Sequence, residues 1–71
     1  MNAQQLEVER QIQEAKRVKQ QYGEKAPTAI ITKRWYSPKK YTIGFNFREG
    51  MNIGDTFSED YGYKVEVLAV V

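Results

Sequence analysis

The first part of the chain carries apolar side chains with the period of an α-helix. Its apolar positions fall on a stripe about one third of the helical circumference wide: Val8, Ile12, Ala15, Val18 and Tyr22. Asn2 suits an N-cap, and Gly23, just past the last apolar position, suits a helix end. No Gly or Pro interrupts the segment between them. We therefore predict an amphipathic helix over residues 1–23.

From Pro27 onward the pattern changes to that of β-strands. Segments 28–36 and 41–47 are rich in β-branched and aromatic residues, and every second residue of the latter segment is apolar. A short strand near 55–57 and a closing strand over 63–71 follow, separated by a turn in the sequence SEDYG. We predict that residues 28–71 form an antiparallel β region.

The sequence leaves the register of the first hairpin open. The apolar row of the second strand consists of Tyr41, Ile43, Phe45 and Phe47. If the connection has an even number of residues, Ile30 and Tyr36 lie on the same face as this row. An odd number places Ala29, Ile31 and Trp35 there instead, because a slip of one residue inverts every side chain.

The closing strand ends in the run LAVV, which indicates burial on both of its faces. One covering layer can be the helix. The other has to be the sheet curling back on itself or a second copy of the protein. The predicted fold class is therefore α+β: one domain over residues 1–71, with an N-terminal amphipathic helix packed on a strongly twisted four- to five-stranded antiparallel sheet or small partly open barrel.

Composition argues against several classes of function. With 71 residues, no Cys and no His, the chain lacks the usual general base, thiolate nucleophile and transition-metal ligands. The acidic segment GDTFSED does not have the spacing of a calcium loop. We predict no enzymatic activity, no cofactor and no metal. No apolar run is long enough to cross a bilayer, and no signal peptide is evident, so we expect a cytoplasmic protein without membrane contact.

The most distinctive stretch is KRWYSPKKY, Lys33 to Tyr41, where cations and aromatic rings alternate around a proline turn. Tyr and Trp anchors with a cationic rim are typical of protein contact surfaces. We predict a non-enzymatic protein-interaction module that binds an unidentified protein through Trp35, Tyr36, Lys39 and Lys40. Because small domains without disulfides or metals often rely on oligomerisation, we also expect a homo-oligomer. Such chains are typical of bacterial or phage accessory proteins.

The less favoured alternative is nucleic-acid binding by the hairpin Lys33–Arg48. Its cations could follow phosphates and its rings could stack on bases; the candidates are Lys33, Arg34, Lys39, Lys40, Tyr41 and Arg48. The tetrapeptide SPKK at 37–40 resembles the repeat of linker-histone tails, which implies lysines presented to an A·T-rich minor groove, but it occurs once. The same four residues also fit an ordinary type I turn. The acidic character of residues 49–71 argues against an extended phosphate track.

Overall fold

The computed structural model describes residues 2–59 and 62–71. Its elements in chain order are helix α1 (Ala3–Tyr22), a single 3-10 turn (Gly23–Lys25) and strands β1 (Ala29–Ser37), β2 (Lys40–Phe47), β3 (Thr56–Ser58) and β4 (Lys64–Val70). The strands form one antiparallel sheet, which is not closed, in the order β2-β1-β4-β3. The predicted α+β fold is confirmed with four strands in the described part of the chain. The turn predicted in SEDYG includes Asp60 and Tyr61, which lie outside the described residues.

Helix α1 is shorter than the predicted range 1–23, and the expected cap residues Asn2 and Gly23 flank it. The Asn2 side chain accepts a hydrogen bond of 2.7 Å from the Gln5 backbone N–H, which satisfies one of the free donors at the helix start. After Tyr22 the chain turns away at Gly23, whose φ of 69° is a conformation that favours glycine. In the described part of the chain, no helix combines the length and apolar character needed to span a membrane.

The hairpin β1–β2 takes the register with the odd connection. Ala29 pairs with Phe47, and Trp35 pairs with Tyr41, so Ala29, Ile31 and Trp35 share a face with the apolar row of β2. Ala15 of α1 packs on this face and is fully buried together with Ala29 and Ile31. The helix therefore covers the face that carries the apolar row. The pairing shifts by one residue between Trp35 and Ser37, at the hairpin tip.

The centre of the opposite face of the sheet is also buried. Ile30 and the two central valines of β4, Val65 and Val67, are at most 1 % exposed, and their register places them on the face away from α1. On this face the Arg48 guanidinium lies 4.3 Å from the centre of the Phe57 ring. These residues belong to opposite edges of the sheet, and flat strands would hold those edges about 14 Å apart. The sheet is therefore strongly curved.

The prediction that the final run LAVV is buried on both faces is wrong at Val70. Val70 pairs with Ile30 and is 41 % exposed, whereas Val65 and Val67 are buried. The pairing of β1 with β4 shifts between Ile31 and Thr32, so that Leu68 is an extra residue in β4. Such a bulge changes the face to which the following side chains point.

Candidate aromatic groove at the hairpin tip

A groove of about 590 Å³ opens where β1 and β4 separate. Trp35 pairs with Lys64 at the end of the β1–β4 ladder, and the hairpin continues beyond this pair to its tip. The main lining side chains come from the end of β1, the turn and the start of β4: Trp35, Tyr36, Pro38, Tyr63, Lys64 and Glu66. The lining combines aromatic rings with one cation and one anion, and it is open to solvent.

Two tyrosines stand edge to face at this groove. The ring centres of Tyr36 and Tyr63 are 5.2 Å apart, a geometry that aromatic pairs favour. The Tyr36 hydroxyl accepts a hydrogen bond of 3.3 Å from the Thr42 hydroxyl. This hydrogen bond, followed by one from Arg34, lowers the pKa of Tyr36 because both stabilise the phenolate. The Tyr36 ring is nevertheless 47 % exposed and can be reached by a partner.

The SPKK segment forms the hairpin turn. The Ser37 hydroxyl oxygen accepts a hydrogen bond of 3.1 Å from the Lys40 backbone N–H, and Pro38 and Lys39 form the connection. The structure thus agrees with the turn interpretation of this tetrapeptide. Lys39 and Lys40 are exposed at the tip, and neither lines the groove. Of the four residues predicted to bind a partner, the structure brings only Trp35 and Tyr36 to the groove.

Lys33 is held beneath the helix instead of projecting into solvent. Its ammonium nitrogen lies 4.6 Å from the centre of the Trp35 ring and 4.1 Å from that of Tyr41. It also donates a hydrogen bond of 2.9 Å to the Gln4 side chain in the first turn of α1. The Trp35 and Tyr41 rings are themselves 4.9 Å apart. The ammonium group thus contacts both rings.

The two arginines of the predicted nucleic-acid surface lie on the other face of the sheet. Arg34 forms an ion pair with Glu59, and the hydrogen bond with this carboxylate is the main reason why the pKa of Arg34 is raised. Arg48 stacks on Phe57. Because neighbouring residues of a strand point to opposite faces, Lys33 and Arg34 cannot contact one straight phosphate backbone together. The predicted residues do not form one surface.

Sequence reasoning missed Tyr63, Lys64 and Glu66 as groove residues. Their position depends on the pairing of β4 with β1, which joins residues 29 to 40 positions apart in the chain. No local motif marks them, although Tyr63 follows a turn glycine with a φ of 77°. Among residues 2–59 and 62–71 no three acidic side chains are grouped as metal ligands would be. Asp60, part of the acidic segment, is not among the described residues.

No protein-family model matches this chain, and no curated protein or solved structure is significantly similar to it.

Proposed function

We propose that this protein is a small non-enzymatic interaction module that binds an extended segment of another protein in the groove between Trp35 and Tyr63. The observation that supports this proposal is the groove itself. It combines the half-buried rings of Trp35 and Tyr63 with the exposed ring of Tyr36. These residue types contribute most at protein interfaces, and Lys64 and Glu66 stand at the groove wall. Self-association of the chain is part of the same proposal.

The electrostatics of the hairpin favour a protein over a nucleic acid. Lys33 and Arg48 contact aromatic rings and Arg34 pairs with a carboxylate, whereas Lys39 and Lys40 are the exposed cations at the tip itself. Two lysines give a weak electrostatic attraction to phosphates, since each neutralised phosphate contributes separately to affinity. A peptide needs no such array of cations, and the groove already provides one charge of each sign.

A displayed library of random peptides tests the proposal. We expect the wild-type protein to enrich peptides that bind with micromolar affinity, measured by anisotropy of the labelled peptides. Trp35→Ala and Tyr63→Ala should each weaken binding at least about tenfold, since aromatic anchors of this kind contribute about 1–2 kcal/mol or more. Ile53→Ala, which alters a side chain that is 70 % exposed and outside the groove, is the matched control.

The charge variants separate this proposal from nucleic-acid binding. Lys39→Glu/Lys40→Glu should leave peptide affinity within about twofold of the wild type, and added salt should change it little. If instead the protein retards oligonucleotides at low salt, and this double variant and added salt both abolish the retardation, the nucleic-acid alternative is correct. If the Tyr63→Ala variant enriches the same peptides, the proposal that peptides bind in this groove is also refuted.

A further inference from the structure

Strand β2 forms one edge of the sheet, and no strand pairs with its outer side in the described part of the chain. It has eight residues, Lys40–Phe47, whereas the strand at the other edge, β3, has three. Soluble proteins protect long edges with proline, a bulge or an inward charge. Between Tyr41 and Phe47 the sequence contains no proline and no charged residue.

The register identifies which backbone groups of β2 point outward. The Arg48 N–H donates to the Thr28 carbonyl at 2.9 Å, so Thr28 and Arg48 are a hydrogen-bonded pair. In an antiparallel ladder such pairs recur at every second residue, and the residues between them direct their N–H and C=O groups to the other side. The outward groups of β2 therefore belong to four residues: Tyr41, Ile43, Phe45 and Phe47.

Gly44 lies at the midpoint of these four residues. A Cβ atom built on Gly44 would meet no atom within 4 Å, and its φ is not positive. Neither the packing nor the backbone of the described chain therefore requires glycine at this position. Glycine weakens a strand interior, and it often marks a place where another backbone approaches closely.

We propose, building on the self-association proposed above, that β2 of one chain pairs antiparallel with β2 of a second copy about a two-fold axis at Gly44. In this register Ile43 faces Phe45 of the second copy, and Tyr41 faces its Phe47. All four outward residues then exchange hydrogen bonds, about eight in total. An axis moved by one residue to either side would pair only three residues of each chain. The two sheets become one continuous eight-stranded sheet.

The charges of helix α1 suit the same arrangement. The helix packs more closely on β2 than on β1 or β4. The side of the helix nearer β2 carries Tyr22, whose ring contacts that of Phe47. The opposite side carries Lys19, whose ammonium group donates a hydrogen bond to the Val71 carbonyl. The flank over β2 carries two acids and two bases, which form the ion pairs Glu7–Arg10 and Glu14–Arg17 within the helix. The two-fold axis brings two such flanks together in antiparallel orientation, where acids can meet bases.

Two double variants at matched positions test the register. Thr42 and Asn46 have exposed side chains and face each other across the proposed axis, twice per dimer. Thr42→Lys/Asn46→Lys should place like charges opposite each other and convert the dimer to a monomer of 8.3 kDa. Thr42→Lys/Asn46→Glu should place opposite charges there and keep or tighten the dimer. Both variants carry the same Thr42→Lys substitution, so its effect on folding cancels in the comparison.

Solution mass by light scattering or sedimentation is the readout. We expect wild-type protein at about 0.1–1 mM to show twice the mass of one chain. A wild-type protein that stays monomeric, or two double variants that dimerise equally, would overturn the proposal.

Amide hydrogen exchange of the wild-type protein provides a second test that requires no variant. The N–H groups of Ile43 and Phe45 should exchange more slowly as the protein concentration rises, because they are bonded only in the dimer. The exchange rate of the Gly44 N–H, which points to β1, should not fall with protein concentration in this way. If the Ile43 amide exchanges at the same rate at low and high protein concentration, the proposed pairing is refuted. Tyr63→Ala should weaken peptide binding and leave the dimer intact, so that a failed groove proposal and a failed dimer proposal give different results.

Discussion

Individual side chains in this protein have roles set by the partners that folding gives them. Lys33 and Arg34 are adjacent in sequence and carry the same charge, yet one contacts two aromatic rings and the other pairs with Glu59. Glu49 is a further example. Its carboxylate accepts hydrogen bonds of 2.8 Å from both the backbone N–H and the hydroxyl of Thr28. This double contact fixes the start of the β2–β3 connection to the entry of β1.

The Glu49 contact predicts a pH dependence of stability. The hydrogen bonds from Thr28 lower the pKa of Glu49 below its ordinary value of 4.5. A lowered carboxylate pKa gives stability that is fully present above the unfolded pKa and is lost as the pH falls through the folded pKa. We expect Glu49→Gln to have a lower urea midpoint than the wild type near pH 6, and the difference to vanish on acidification below pH 4.5.

The exposed acid Glu24 provides the matched control for this measurement, since it makes no side-chain hydrogen bond or ion pair among the described residues. Glu24→Gln should unfold at the same urea concentration as the wild type near pH 6. A Glu49→Gln difference that persists unchanged at low pH would show that the carboxylate charge is not the cause.

At the scale of elements, a small residue determines how helix α1 meets the sheet. Ala15 is fully buried on the helix face that contacts Ala29 and Ile31. Larger side chains, among them Val8 and Ile12, pack around this contact. Two alanines at the centre of an interface let the helix backbone approach the sheet closely. The sequence pattern predicted the apolar stripe, but it did not show that Ala15 is the fully buried contact at its centre.

A substitution at Ala15 tests this close approach. Ala15→Leu should lower the free energy of unfolding by about 1–3 kcal/mol, because the added atoms have no free space at a fully buried position. Ala3→Leu, the same change at an exposed position of the same helix, should stay within about 0.5 kcal/mol. Urea denaturation followed by circular dichroism measures both. Equal stability of the two variants would mean that α1 does not pack through Ala15.

At the scale of the whole molecule, two consecutive residues define the core. Ile30 and Ile31 are both fully buried, and they point to opposite faces of β1. Ile31 lies under α1, whereas Ile30 lies on the concave face of the curved sheet, where Arg48 crosses to Phe57. A chain of this size therefore divides its apolar residues between two thin layers. Each layer contributes a large share of a small total stability.

The concave layer can be tested separately from the helix side. Ile30→Ala should lower the free energy of unfolding by about 2–5 kcal/mol, enough to unfold much of the protein at 37 °C. Ile53→Ala removes the same atoms from a side chain that is 70 % exposed and should change stability by less than about 0.5 kcal/mol. Thermal denaturation of both variants gives the comparison. Similar melting temperatures would show that the concave face does not act as a core.

Local sequence patterns are sufficient to predict the helix and strands of this protein, because the causes of these elements are local. Asn2 and Gly23 mark the helix ends, alternation identifies β2, and Ser37 with Pro38 specifies a turn. Tertiary structure alone decided the odd register, the pairing of β1 with β4 and the groove that this pairing creates. These features depend on contacts between distant residues. Because a slip of one residue exchanges the two faces of a strand, local pattern cannot assign those contacts.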